Sequence, residues 1–310
     1  MTFTAKDVAD LRQRTGAGMM ECKNALKEAN GNIEKASEVL RQKGIVAAAK
    51  KADKVALEGI VTSKVSQDKK LATIIELNSQ TDFVAKNEKF IELSNIILDA
   101  IIVNKLTKTD QVLSTKVNGT PISEHITSRV ATIGENIQLR RLELFNLGNE
   151  NGTVGTYIHP VGNKIGVLAK LTTNISPAAK ATELSDLAKN IAMHIAAAQP
   201  QVEYIDRTRI PQEIIENEKR IEMGKEDLAK KPKEIAEKIV QGRLDKILAQ
   251  RCLLDQPYIK DPNITIDKLI KDKGKELGLE IKIAQFTRFN VGEMLEKDDK
   301  GLEKAAASIS

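Results

Sequence analysis

The chain has 310 residues, and its 48 Lys and Arg against 43 Asp and Glu leave a net charge of +5. With 41% apolar and 29% charged residues it has globular composition, which excludes a disordered or fibrous chain, and its length suits about two domains. No apolar stretch approaches the roughly 18 residues of a membrane span, Met1 to Asp7 lacks the apolar segment of a signal peptide, and two cysteines, Cys22 and Cys252, exclude a disulfide framework and point to a reducing compartment.

The first fifty residues read as three short helices. Val8, Leu11 and Arg12 share helical spacing, and Thr15-Gly16-Ala17-Gly18 ends that helix. Met19 to Ala29 is predicted as the second, carrying Met19, Cys22 and Leu26. Adjacent residues on a helix cannot both face one core, so one of Met19 and Met20 is expected inside and the other exposed as an adaptable apolar surface for a partner. Asn30-Gly31-Asn32 is a turn with Asn32 as N-cap of a third helix, which carries Ile33, Ala36, Val39 and Leu40 and is expected to end at Gly44. The Ala- and Lys-rich stretch from Ile45 to Lys54 reads as a partly helical linker.

Two later segments repeat each other. The first runs from Gly59-Ile60-Val61 through the apolar Leu71 to Leu77 to a helix from Phe90 to Ile101. The second runs from Gly152-Thr153-Val154 through Ile165 to Leu171 to a helix from Leu184 to Ile195. Leu71 aligns with Ile165, Leu77 with Leu171, Phe90 with Leu184, Leu93 with Leu187, Ile97 with Ile191 and Ile101 with Ile195, all at one constant offset. A repeated strand-strand-helix unit predicts a pseudo-symmetric α+β core. Between the halves, Leu139 to Phe145 alternates as a strand does. Pro211 to Gln250 is charged and helical, with Ile214, Ile215, Ile221 and Leu228 before the break at Lys230-Lys231-Pro232-Lys233 and Ile235, Ile239, Leu244, Ile247 and Leu248 after it. Proline suits the first helical position, so Pro232 is expected to open the second arm of an antiparallel hairpin. Phe286 to Phe289 is a last strand, and Lys300 to Ser310 an Ala-rich, partly helical tail.

No catalytic set is visible. His125, His159 and His194 have no metal-ligand spacing with the cysteines, and His194 borders the apolar stripe of its helix and reads as a packing residue. There is no Walker motif, and Gly16-Ala17-Gly18 follows a helix rather than a strand, so it is a turn and not a dinucleotide site. No cofactor, no resident metal and no enzymatic reaction are expected. Lysines 50, 51, 54, 64, 69 and 70 read either as a solvated surface or as an RNA patch. Six Phe, three Tyr and no Trp over the whole chain argue against a stacking platform for single-stranded RNA.

The segment Asn78-Ser79-Gln80-Thr81-Asp82-Phe83-Val84-Ala85 admits two readings. In one, Thr81 or Asp82 is a helix N-cap and Phe83 packs near the helix start. In the other, an aromatic ring at the tip of a turn, beside a carboxylate, is a wedge that inserts into a partner and carries negative charge toward a metal site.

Here the sequence closely resembles the bacterial-type elongation factor Ts family. The resemblance rests on Leu11 to Lys23, Gln80-Thr81-Asp82-Phe83-Val84-Ala85, Ile133-Gly134-Glu135-Asn136-Ile137, Ile191-Ala192-Met193-His194, Pro232 to Lys238 and Arg288-Phe289-Asn290-Val291-Gly292-Glu293, in family order over nearly the whole chain. It implies an α+β fold with an N-terminal three-helix domain of ubiquitin-associated type (1–44), a linker (45–57) and two related core subdomains (58–147 and 148–290). It also implies a helical hairpin inserted at about 211–250 and a C-terminal helical module (291–310).

The resemblance further implies guanine nucleotide exchange on elongation factor Tu in translation. Thr81, Asp82, Phe83 and Val84 would dislodge the partner's magnesium ion, and Arg12, Met19 and Met20 would grip the same domain. Ile133, Gly134 and His159 would contact the partner elsewhere, although the family pattern departs after His159, in Pro160-Val161-Gly162-Asn163-Lys164. The expected partner is elongation factor Tu, GDP-bound or nucleotide-free, with neither DNA nor membrane involved, and an assembly of two copies with two partners is the higher-order form the resemblance allows. The absence of an Arg- and Ser-rich leader suggests a bacterial cytoplasm. A second class, an RNA- or ribosome-associated module without exchange activity, rests on the lysines and the basic balance. The steep salt dependence of phosphate contacts discriminates the two.

Overall fold

The computed structural model describes residues 3–228 and 231–293. It opens with α1 (Ala5–Thr15), α2 (Met19–Glu28) and α3 (Ile33–Ala52). Thr4 and Asp7 form a capping box, Gly16 at φ 70° closes α1, and the Asn32 side chain accepts the Lys35 N–H at 2.9 Å to start α3. The three helices bury Val8, Leu11, Cys22, Ala25, Leu26 and Ala36 together.

Contrary to the sequence expectation, α3 does not stop at Gly44 but runs through most of the stretch read as a linker. Gly44 is buried, and a Cβ there would lie 3.5 Å from that of Ala131. Close helix approach therefore outweighs the roughly 1 kcal/mol that glycine costs inside a helix.

Next come β1 (Glu58–Val65), β2 (Leu71–Ser79), the single-turn α4 (Asp82–Ala85), α5 (Glu88–Asn104) and α6 (Thr109–Ser114). A small ribbon, β3 (Lys116–Val117) and β4 (Thr120–Pro121), leads to α7 (Ile122–Ile133) and β5 (Ile137–Asn146). The second half holds β6 (Asn151–Ile158), β7 (Ile165–Thr173) and α8 (Ala181–Ala197), then α9 (Gln212–Met223) and α10 (Lys233–Arg251). It ends with the ribbon β8 (Pro257–Tyr258) and β9 (Asp261–Thr265), α11 (Ile266–Leu277) and β10 (Ile281–Asn290).

The two halves are built alike. Each holds a three-stranded antiparallel sheet, in the orders β1-β2-β5 and β6-β7-β10. Phe90, Leu93, Ile97 and Ile101 are buried on α5 as their aligned partners Leu184, Leu187, Ile191 and Ile195 are on α8. Backbone detail repeats too. Gly59 (φ 135°) and Gly152 (φ 147°) sit where a Cβ would fall 2.2 Å from the Leu77 carbonyl oxygen and 2.0 Å from that of Leu171. Only glycine fits at this point of either hairpin.

The central strands are apolar on both faces, so both faces are covered. Along β2, Ile75 and Leu77 face α5, while Ala72 and Ile74 face the other sheet. Along β7, Val167, Ala169 and Leu171 face α8, and Leu168 turns inward to meet Val61, Phe145 and Phe289. The two sheets thus share an apolar layer, with helices on their outer faces.

α9 and α10 pack through Ile214, Ile215, Leu244 and Leu248. Ile221 and Ile235, expected in the same seam, are exposed. Pro232 occupies the N-cap of α10 rather than its first helical position. Sequence patterning assigns no element to residues 251–285, where β8 and β9 are too short to show a period. α11 carries a stripe of Ile266, Leu269, Ile270 and Leu277 that the reading leaves unassigned.

The expected tail helix at Lys300 to Ser310, and all but the first three residues of the expected C-terminal module, lie outside the described residues. Those first three bridge the two halves. The Gly292 N–H donates to Glu76 Oε1 at 2.9 Å, and the Val291 N–H to the Lys164 carbonyl at 2.8 Å. Glu76, fully buried on β2, also receives Arg140 at 3.1 Å and Arg141 at 2.6 Å, and the Arg141 guanidinium lies 4.2 Å from the centre of the Phe289 ring.

Candidate functional site

The unusual Thr81-Asp82-Phe83-Val84 segment forms the turn between β2 and α5. Thr81 holds the N-cap position of α4 in extended conformation, but its hydroxyl does not cap the helix. It donates to Glu135 Oε1 at 2.7 Å, and the Thr81 N–H donates to Glu135 Oε2 at 3.0 Å. Ser79 Oγ donates to the Thr81 carbonyl at 2.9 Å. Val84 and Ala85 are buried beside Ile60, Leu77 and Phe90. With that face anchored, Phe83 projects outward at 79% exposure. Of the two sequence readings, packing of Phe83 near the helix start is therefore overturned, and Asp82 is not a cap.

Asp82 lies in the first turn of α4 and pairs with Lys86 at 2.9 Å. The Lys86 hydrogen bond holds its carboxyl below the usual aspartate range, and Lys164 adds a weaker Coulombic pull in the same direction. Such an exposed pair contributes little stability and opens readily when a partner competes for either charge.

Ile133 and Gly134 lie beside this turn. Gly134, at φ 88°, closes α7 with its N–H on the Val130 carbonyl at 2.8 Å, and half-buried Ile133 packs on the core of the first half. The two residues after Gly134 point in opposite directions. Glu135 grips Thr81, while buried Asn136 donates to the carbonyls of Ala52 at 3.2 Å and Lys54 at 2.7 Å, at the end of α3. Roles are expected from the sequence for Ile133 and Gly134 but not for Glu135, which holds the turn. The available signal was an acidic side chain directly after a helix-closing glycine.

In the N-terminal helices, Arg12 is exposed on α1, at the edge of the stripe that buries Val8 and Leu11. Met19 and Met20 are both exposed, at 58% and 63%. The expected division into one buried and one exposed methionine is thus wrong, because the buried stripe of α2 begins a turn later, at Cys22, and continues through Ala25 and Leu26. Lys89, in the first turn of α5, donates to the Gly16 carbonyl at 3.3 Å. The turn before Met19 thereby sits against the start of the helix that follows Phe83.

His159 opens the loop between β6 and β7. Its N–H donates to the Ile165 carbonyl at 2.8 Å, and Nδ1 lies 3.2 Å from the Tyr157 hydroxyl. The loop docks on β1, where the Val61 N–H donates to the Asn163 carbonyl at 2.7 Å and Lys164 Nζ to the Gly59 carbonyl at 3.0 Å. Val161 stands 73% exposed in that loop. Among the described residues no hydrogen bond joins His159 itself to the Thr81–Val84 turn.

Lys64 pairs with Asp99, Lys69 Nζ donates to Ser185 Oγ at 3.0 Å, and Lys50 and Lys51 end α3, where positive charge complements the helix dipole. His194 is buried, and Nδ1 accepts the Ile259 N–H at 3.2 Å. Nε2 therefore carries the proton and donates to Gln256 Oε1 at 3.0 Å. Burial pushes this imidazole below the ordinary histidine range, partly opposed by Gln256. It borders a cleft of about 510 Å³ as a satisfied structural residue. Among the described residues no cluster of three or more His, Cys, Asp or Glu is placed to hold a metal, and no helix is long and apolar enough to cross a membrane.

Comparison with known proteins converges on one family. The family model described as Elongation factor TS matches residues 80–293, a span that opens at the Phe83 turn and closes on Glu293. Elongation factor Ts of Syntrophotalea carbinolica is 43% identical over 312 residues, covering 100% of both chains. That of Clostridium acetobutylicum is 46% identical over 301 residues, covering 96% of this chain and 95% of its own. That of Nostoc sp. is 41% identical over 307 residues, covering 99% and 97%. With its sequence matched from end to end, this chain belongs to the elongation factor Ts family.

Proposed function

We propose that this chain is a guanine nucleotide exchange factor for elongation factor Tu in translation elongation. The observation that carries the proposal is Phe83, a large apolar ring 79% exposed on a turn anchored through Thr81, Val84 and Ala85. A fixed frame presents the ring in one place, so a partner's pocket can take it up without the cost of ordering the turn.

The mechanism is thermodynamic coupling. A factor that binds nucleotide-free elongation factor Tu more tightly than the GDP-bound form weakens GDP binding by the same factor. Phe83 inserts into the GTPase domain and displaces the elements that hold magnesium. Asp82 leaves Lys86 and presents its carboxylate to the metal site or to the displaced element. Thr81 and Val84 shape the turn. Arg12, Met19 and Met20 grip the same domain, and Ile133, Gly134 and His159 contact the partner elsewhere. No covalent bond is made or broken.

Stopped-flow release of a fluorescent GDP analogue from elongation factor Tu, with and without this protein over a magnesium series, tests the proposal. Accelerated release that weakens as magnesium rises is expected. Release at the spontaneous rate with a well-matched partner refutes exchange.

A further inference from the structure

We propose that Glu135 is a positioning residue for exchange, because its carboxylate holds Thr81 and so sets where the Phe83 ring projects. The inference rests on the reading that Phe83 is inserted into elongation factor Tu.

The turn needs an external support. α4 is one turn long, and so short a helix does not hold itself in water. The residue at its N-cap position lends it no side-chain bond. Instead, both donors of Thr81 go to the two oxygens of one carboxylate brought in from 54 residues away, the N–H at 3.0 Å and the hydroxyl at 2.7 Å. A two-point, charge-assisted grip fixes orientation as well as position. Ser79 holds the Thr81 carbonyl from behind, and Val84 and Ala85 are sunk in the core beneath. Asp82 and Phe83 are what remain to face outward.

The grip is itself anchored. Asn136, buried next to Glu135, donates to the Ala52 and Lys54 carbonyls, so one short loop ties the projecting turn to the end of α3. A site presented to a partner is as accurate as the residues that support it.

The test is a cycle on the full chain, read by stopped-flow release of the fluorescent GDP analogue. Glu135→Ala and Glu135→Gln are each made in the native and the Phe83→Ala backgrounds. Loss of two charge-assisted hydrogen bonds is expected to slow exchange about tenfold in the native background. With no ring left to aim, the further loss in the Phe83→Ala background is expected to stay below about twofold. Glu135→Gln keeps an acceptor for the Thr81 N–H and a donor to its hydroxyl, and is expected to return to within about threefold of the native rate.

Equal losses in both backgrounds would show that Glu135 acts through the fold, and a native rate for Glu135→Ala would show that it is not needed. Either overturns the proposal. If Phe83→Ala is slow while Glu135→Ala is fast, only this inference falls; if Phe83→Ala itself exchanges at the native rate, the insertion reading falls with it. Should Glu135→Ala unfold, Thr81→Val decides. A several-fold loss confined to the native background supports positioning, and no loss refutes it.

Discussion

Replacing Phe83 with alanine separates partner binding from stability. At 79% exposure, about a fifth of the side chain is covered by its own protein. Full burial of a phenylalanine stabilises by up to about 3 kcal/mol, so truncation is expected to cost the isolated chain about 0.6 kcal/mol. In a protein of this size that lowers the melting temperature by about 1–2 °C. Insertion removes the other four-fifths from water, worth about 2.4 kcal/mol on the same scale. Affinity for nucleotide-free elongation factor Tu is then expected to fall about 50-fold, and the ability to displace GDP by the same factor. Calorimetric titration against the nucleotide-free partner, GDP titration of the complex and a thermal melt read the three quantities independently. Unchanged affinity refutes the insertion argument. A melting temperature lowered by more than about 5 °C shows instead that the ring supports the fold.

Two further outcomes follow from the described geometry. Gly59→Ala adds backbone strain and a collision with the Leu77 carbonyl, while Gly119→Ala, at φ 82° with open space around it, adds strain alone. Denaturant melts are expected to show losses of at least about 3 kcal/mol for the first and about 1 kcal/mol for the second, and equal losses contradict the collision argument. Because burial lowers the folded-state pKa of His194 below 6.5, the unfolded chain takes up this proton first as pH falls. The stability it contributes is therefore complete above about pH 6.5 and declines below it. A ring chemical-shift titration with a midpoint above 6.5 contradicts this account.

Much of the core is legible in the sequence because repetition and period report burial directly. The repeat marked by the constant offset from Leu71/Ile165 to Ile101/Ile195 continues in the fold to a glycine at the same point of each hairpin. What escapes is what neighbours far along the chain decide. Gly44 looks like a helix end until Ala131 comes against it. Met19 has the spacing of a core residue, yet α2 begins its buried stripe only at Cys22. Phe83 belongs to a helix too short to have a face, so its exposure was undecidable from period. The support from Glu135 spans 54 residues, a distance at which pattern carries no information about contact.

The buried carboxylate of Glu76 has a consequence for the order of events during synthesis. One of its partners, the Gly292 N–H, lies 216 residues downstream. At about 5–20 residues per second, the ribosome takes roughly 10–40 s to make that stretch. Until then the first sheet carries a charge whose hydrogen bonding is incomplete, and Arg141 lacks the Asn290 carbonyl and the Phe289 ring. The first half of the core therefore reaches its final form only when Phe289, Asn290 and Gly292 arrive. A chain cut short before β10 is expected to be cleaved faster than the full chain by an added protease, because Glu76 and Arg141 each lack a partner.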